Sequence, residues 1–477
     1  MAKSYLFYDI ETTGLNKAFD QVLEFAAIRT DQGFNALEHH TISVELRPDI
    51  IPSPRAIITN RISVSDSRAG LCEYEASTKI HRLMNQPGTI SLGYNTLGFD
   101  DELLRFAFHR NLLPPYTHQF KDGCGRMDLF PVAVLYWLYN KEIINWPQID
   151  GKPSLKLEHI GSANQMASGR AHEAMVDVAT TVELARRFSQ KKKMWQYLLG
   201  YFDKATDAHR SNQLPIAFRS GAGRHYQAVM VAGEFGSSRN YQVPVISIGQ
   251  SIPYSNQTLW LRMDLPELRR TCSDAPSETS WVFRKRMGEP GILLPPKKRY
   301  WKRIDETGRV EYEKNLTWLQ ENPDIFLEII SYYREFRYPF IPALDPDASL
   351  YQIGFYSRSD ENRCRLFHRV PLNEKAEIAA QLASPDARRL ARRILRRNYP
   401  DAAPGGPEDG NDAYMQRISP LQPEDAMVDY RGERRTTPAS ALGEIAELKS
   451  TGGLDGHQHR LLDDLDGYIR SKFGYQD

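Results

Sequence analysis

Two acids, two residues apart at the end of an apolar run, constrain this chain more than any other feature. In Tyr5-Leu-Phe-Tyr-Asp-Ile-Glu11 a strand sends Asp9 and Glu11 out of the same face. Carboxylates held side by side repel unless something cationic lies between them. A strand end running into the polar turn Thr12-Thr-Gly14 accounts for the pair as well as a metal site does. Further residues have to decide.

Two more acidic segments supply them. Gly93-Tyr-Asn-Thr-Leu-Gly-Phe-Asp100 reads as a strand end followed by an Asn-containing turn. Asp101 suits the first turn of the helix that follows, where the helix dipole favours acids, which leaves Asp100 as the candidate carboxylate. In Ala171-His-Glu-Ala-Met-Val-Asp177, positions five apart differ by about 140° on one helix, so His172 and Asp177 converge only with His172 on the preceding loop. Leu184, seven after Asp177, shares its helical face, so this carboxylate points toward the domain body, where an unpaired charge is costly.

The set is therefore Asp9, Glu11, Asp100, Asp177 and His172. Hard oxygen donors select Mg²⁺, with Mn²⁺ as the alternative. Two such ions about 4 Å apart stabilise the attacking and leaving oxygens of an in-line phosphoryl displacement. A histidine with a pKa of about 6.5 can take the proton of the attacking water. The chemistry implied is metal-dependent phosphodiester hydrolysis.

Around this set the sequence reads as three regions of a multidomain, water-soluble chain. A length of 477 residues exceeds one domain, and 41% hydrophobic with 25% charged residues excludes a disordered chain. No apolar run approaches the roughly 18 residues of a membrane helix, and the N-terminal residues lack a signal-peptide pattern. Cys72, Cys124, Cys272 and Cys364 are far apart and form no CxxC, so neither a disulfide framework nor a zinc site is expected. A cytoplasmic protein without membrane contact is the expectation.

Residues 1–190 alternate strand and helix signals, with strands expected over Lys3–Ile10, Val22–Thr30, Thr41–Leu46 and Thr89–Tyr94. Helices are expected over Leu71–Asn85, Asp101–Asn111, Met127–Tyr139 and Glu173–Ser189, giving an α/β mixed sheet flanked by helices. Residues 191–345 are rich in strand patterns separated by Gly, Ser, Asn and Pro, as in a small barrel or sandwich, before a helix over Leu316–Arg337. Residues 346–477 are mainly helical.

The near-neutral total, 61 Lys and Arg against 60 Asp and Glu, hides an uneven distribution. The first region holds 19 cations and 22 anions, the middle 23 and 17, and the last 19 and 21. The basic middle also holds Tyr226, Tyr241, Tyr254, Trp260, Trp281, Tyr300 and Trp301, and cations with aromatics suit single-stranded nucleic acid. Lys297-Lys-Arg-Tyr-Trp-Lys-Arg303 reads equally as a solvated loop or a DNA contact. Arg388, Arg392 and Arg396, with Arg389, Arg393 and Arg397 beside them, form a cationic helix stripe opposite Leu390, Ile394 and Leu395. That stripe is either an ordinary amphipathic surface, a wall of a DNA channel, or a surface for an acidic peptide.

Asp9-Ile-Glu-Thr-Thr-Gly14, Gly93–Asp100 and His172-x4-Asp177 resemble the three motifs of the DEDDh exonuclease superfamily. Phe25-Ala-Ala-Ile-Arg-Thr-Asp31, Phe99-Asp-Asp-Glu102, Ile144-Asn-Trp-Pro147 and Pro153-Ser-Leu-Lys-Leu-Glu-His159 resemble the bacterial exonuclease I family in particular. The resemblance is close over about residues 4–190 and weaker beyond. It implies a ribonuclease H-like nuclease domain (1–190), an SH3-like β-barrel domain (191–345) and a C-terminal helical domain (346–477). It implies an exodeoxyribonuclease that releases 5′-mononucleotides from the 3′ end of single-stranded DNA in repair and recombination; a monomer is the expectation. It also implies a partner, the acidic C-terminal tail of single-stranded DNA-binding protein.

By the same resemblance Asp9, Glu11, Asp100 and Asp177 bind metal, His172 is the base, and Glu11 also touches the terminal nucleotide. Lys156 stands where the family has a substrate-contacting Arg, keeping the charge but losing the planar two-pronged contact. Asn60 replaces a Gly, and Asn tolerates a left-handed backbone. An RNA-trimming enzyme of the same superfamily, or a non-catalytic binding protein on a nuclease fold, are the rival readings. The intact set of acids with His172 argues against the latter.

Overall fold

The apolar run Tyr5–Tyr8 lies in the middle strand of a five-stranded mixed sheet. The structure is a computed structural model in which residues 3–166, 173–402, 411–420 and 423–474 are described. β1 (Ser4–Thr12) pairs antiparallel with β2 (Val22–Thr30) and parallel with β4 (Thr89–Gly93). β3 (Ala36–Ser43) and β5 (Gly125–Asp128) form the edges, in the order β3-β2-β1-β4-β5.

Side-chain alternation along β1 feeds two cores. Leu6, Tyr8 and Ile10 meet α3 (Glu73–Met84) and α4 (Asp100–Arg110) on one face. Tyr5 and Phe7 meet α5 (Leu129–Tyr139) and α7 (Ala174–Ser189) on the other. The short α1 (Pro54–Asn60) and α2 (Val64–Ser67) precede α3, and β6 (Gln148–Ile149), β7 (Lys152–Pro153) and α6 (Leu157–Asn164) lead from α5 toward α7.

Two boundaries differ from the sequence expectation. The third strand is Ala36–Ser43, not Thr41–Leu46, because this edge is largely exposed and Glu38, His39 and His40 give it no apolar alternation. Met127 and Asp128 end β5 instead of starting a helix, and Asp128 caps α5 through the Phe130 N–H.

After α8 (Lys192–Leu199) and α9 (Lys204–Asn212) comes a second, antiparallel sheet. Its strands are β8 (Ile216–Ser220), β9 (Gly223–Val231), β10 (Gln242–Gln250), β11 (Gln257–Arg262), β12 (Val282–Arg286) and β13 (Ile292–Leu294). They run in the order β12-β11-β10-β9-β13, with β8 also on β9. Val229, Val231, Ile292 and Leu294 from this sheet share one apolar core with Trp195, Leu198, α5 and α7.

The aromatics expected to stack on bases are mostly part of such cores. Trp260 and Tyr300 are buried, while Tyr241 and Trp301 pack against the shared core. α10 (Pro276–Thr279) and α11 (Lys298–Trp301) precede α12 (Glu306–Glu321) and α13 (Pro323–Glu335). The single helix expected over Leu316–Arg337 is thus two, interrupted at Asn322 because Pro323 lacks the N–H needed to continue it.

The last region holds α14 (Arg358–Arg369), α15 (Leu372–Ala380), α16 (Pro385–Asn398), α17 (Asn411–Ile418), α18 (Pro438–Thr451) and α19 (Gly456–Phe473). Leu390, Ile394 and Leu395 of α16 face inward as expected, but the arginine stripe is not uniformly a surface. Arg393 binds Asp345 through both prongs at 2.5 and 2.9 Å, and Arg397 reaches Asp347 at 2.6 Å and Asp49 at 2.8 Å. Arg397 thereby ties the helix to the first region, Arg393 ties it to the Asp345–Asp347 segment, and neither is available to line a channel. Among the described residues, no helix is long and apolar enough to cross a membrane.

Candidate active site

Asp9 and Glu11 continue the row of Tyr5 and Phe7 past the end of the core, on the sheet face that α7 covers. The register sets Asp9 opposite Ala26 and Glu11 opposite Glu24. Glu24, which the sequence reading did not single out, therefore adds a third acid to this end of the sheet. Just beyond, Gly14 has no room for a side chain, since a Cβ would come within 2.5 Å of the Asp20 carboxylate. Asp20 in turn accepts hydrogen bonds from Thr13 Oγ1 and the Asn16 N–H.

Asn60 donates from Nδ2 to the Thr12 carbonyl and accepts from the Ile62 N–H. The left-handed residue here is Arg61, with φ of 62°, so Asn60 serves through its side chain and not, as expected, through its backbone.

The parallel neighbour β4 brings the second acidic segment to the same end. Gly93 lies against β1 so closely that a Cβ would meet the Tyr8 carbonyl at 2.6 Å. The turn after it is held by Asp128, a second residue the sequence reading missed. Its carboxylate accepts from the N–H groups of Asn95, Leu97 and Phe130. Burial pushes the Asp128 pKa up to about 6 against the pull of these three donors. The turn delivers Asp100 at the first position of α4.

Asp177 lies in the first turn of α7, half-buried above β1 and β2. His172 lies outside the described residues. Lys156 caps α6 with its backbone, its side chain 72% exposed and its Nζ 3.6 Å from Glu158. The loop carrying it is tied to the second motif, because Tyr94 Oη donates to the Leu155 carbonyl at 2.5 Å.

The electrostatics single out this cluster. Burial, then Asp100, Asp177 and Glu24, raise the Asp9 pKa far above the carboxylate range. Burial, then Asp9, Asp177 and Glu24, push Glu11 up to about 9. Burial, with Asp128 and Glu11 among the neighbours, pushes Asp100 up to about 8. Each acid thus resists ionisation partly because of the others.

Among the described residues, no cation is among the main influences on the Asp9, Glu11 and Asp100 carboxylates, and no three His, Cys, Asp or Glu side chains form a ready-made ion cage. Oxygen donors that repel one another and lack a protein cation have the charge and hardness that suit a divalent ion.

A cavity of about 670 Å³ opens beside the Asn95–Gly98 turn. Asn95 and Phe130 come from the first region, Arg284 and Arg286 from the second sheet, and Tyr338 and Arg431 from the segments beyond.

A family model described as an exonuclease matches residues 6–185. Exodeoxyribonuclease I of Escherichia coli K12 is 30% identical over 379 residues, covering 75% of this chain and 77% of that protein. The chain belongs to the exodeoxyribonuclease I family. The family member of Haemophilus influenzae is 28% identical over 400 residues, covering 78% of this chain and 82% of its own. The crystal structure of E. coli exonuclease I with a dA16 oligonucleotide superposes with a TM-score of 0.83 at 25% identity, covering 98% of this chain and 100% of that one. A structure of apo exonuclease I gives a TM-score of 0.81 at 25% identity, over 99% of this chain and 100% of that one. Family membership makes the chain a 3′–5′ exonuclease hydrolase with a mixed α/β nuclease fold.

Proposed function

We propose that this chain removes 5′-mononucleotides from the 3′ end of single-stranded DNA by cation-dependent hydrolysis, in the cytoplasm and as a monomer, during repair and recombination. The observation that carries this reading is the mutually repelling set of half-buried Asp9 and Glu11 with buried Asp100, next to the Asn95–Gly98 turn at which a cavity lined by arginine and aromatic side chains opens. We assign Asp9, Glu11, Asp100 and Asp177 as the cation ligands, with Mg²⁺ the expected ion and Mn²⁺ a substitute. Bound there, paired divalent ions supply positive charge to the reacting phosphate and acidify the attacking water.

The rest falls to the chain's own side chains. His172 accepts the proton of the water. Glu11 also orients the terminal nucleotide. Lys156, exposed and on a loop tied to Tyr94, swings its charge to the substrate end. The 1–190, 191–345 and 346–477 regions act as nuclease, SH3-like and helical units. Arg284, Arg286 and Arg431 line the way in and neutralise strand phosphates. The exposed cations of the Lys297–Arg303 run offer a polyanion a second surface, either the strand or the acidic tail of single-stranded DNA-binding protein.

The test is degradation of 3′-labelled and 5′-labelled single strands of DNA and of matched RNA, with Mg²⁺ and with chelator. Early labelled mononucleotide from the 3′ label and a shortening ladder from the 5′ label are expected, both abolished by chelator. A preference for RNA, or hydrolysis that survives the chelator, overturns the reading.

A further inference from the structure

Asp100 and Asp101 are adjacent and both buried, yet their surroundings are opposite. Asp101 is ion-paired to Arg105 and Arg126 and lies against His118. Arg105 Nε donates to its carboxylate at 3.0 Å and an Arg126 η-nitrogen at 2.6 Å, while His118 Nε2 lies 3.0 Å away. The Asp101 N–H donates to the Thr96 carbonyl at 3.0 Å. Residue 101 is thus fixed at both its amide and its side chain. The planar peptide passes that constraint to the Cα of Asp100.

The chain of contacts leaves the nuclease region through Arg126. Its other η-nitrogen donates to Glu289 at 2.8 Å, on the turn between β12 and β13. That turn is itself anchored, because Asp207 accepts from the Gly288 N–H and lies 2.6 Å from the buried Lys285 ammonium. Glu289 also lines the cavity.

We propose that Glu289, Arg126 and Asp101 are positioning residues through which the second sheet sets the carboxylate of Asp100 and thereby its affinity for a divalent cation. The inference rests on the assignment of Asp100 as a cation ligand. Partners one shell out from a ligand commonly alter metal affinity by about 10–100-fold when removed. Arg126 is one step from Asp101 and Glu289 is two, so a graded effect is expected.

The test measures Mn²⁺ binding to the full chain by electron paramagnetic resonance of the unbound ion, with thermal melting alongside. Asp101→Asn leaves three buried partners facing an amide and can unfold the chain, so Arg126→Gln and Glu289→Gln carry the test. The dissociation constant for Mn²⁺ should rise about 10-fold in Arg126→Gln and about 3-fold in Glu289→Gln. Glu289, whose side chain is 28% exposed, should leave the melting temperature unchanged. A purely structural Arg126–Glu289 contact would move the melting temperature and leave Mn²⁺ affinity alone, which overturns the proposal. A parent chain that binds no Mn²⁺ overturns the ligand assignment of Asp100 itself, and this inference with it.

Discussion

The protein holds two clusters of charge partly or wholly out of water and treats them in opposite ways. Where α3 and α4 meet α16, Arg47 binds Asp49 and Glu73, Arg110 binds Glu73, and Arg393 and Arg397 bind Asp345, Asp347 and Asp49. Arg397 and Arg47 outweigh the effect of burial on Asp49 and hold its pKa well below the carboxylate range, and Arg397 and Arg393 do the same for Asp347. At the end of β1, Asp9, Glu11, Glu24 and Asp100 are gathered with like charge for company. Desolvation penalises both sets. Burial therefore does not distinguish a working carboxylate from a structural one; the nature of its neighbours does.

The sharpest way to break that contrast is to remove one charged group from each cluster. Asp9→Asn should lower hydrolysis of a labelled single strand by about 10²–10³-fold, the scale of losing a group that manages charge in the reaction. In chelator the variant should melt no lower than the parent, because a source of repulsion has gone. Arg397→Ala should instead cost about 3–5 kcal/mol in urea unfolding, since it strands buried acids, while hydrolysis per folded molecule holds. Lost hydrolysis at full stability would mean that Arg397 faces the strand after all.

The two clusters should also respond to pH with opposite slopes. Glu11 and Asp100 have folded pKa values raised to about 9 and about 8, so in chelator their contribution to stability is largest at low pH and falls as pH rises toward those values. Asp49 and Asp347 are depressed, so their contribution is present above the ordinary carboxylate range and is lost as pH falls below it. Melting temperatures from pH 3 to 9, with and without Mg²⁺, check both limbs. Mg²⁺ should flatten only the alkaline one. The smallest effect is expected at Arg389, 65% exposed and 3.6 Å from Asp386, where Arg389→Ala should change stability by less than about 0.5 kcal/mol.

Much of the nuclease fold and of its acidic site was legible because their signals are local. Asp9 and Glu11 follow an apolar strand, and Asp100 follows a turn, so alternation and spacing reveal them. Glu24 escaped because its place opposite Glu11 comes from strand register, which no stretch of sequence states. Asp128 escaped because its three backbone donors lie on either side of a chain crossing. Asp101 was read as a helix-start acid, which it is, but its clamp of Arg105, Arg126 and His118 is tertiary. The α16 stripe stayed open between a surface and a channel wall for the same reason: Asp345 and Asp347, which occupy Arg393 and Arg397, lie where prolines mark only an irregular stretch.

The apolar seam shared by α5, α7, α8 and the second sheet has a practical consequence. A fragment ending at residue 190 would keep its catalytic acids but bare the surfaces that Trp195, Leu198, Val229, Val231, Ile292 and Leu294 now cover. Such an oily face on a small soluble piece invites clumping. A miniaturised catalyst built from this chain would have to be repainted with polar side chains along that seam before it could be handled by itself.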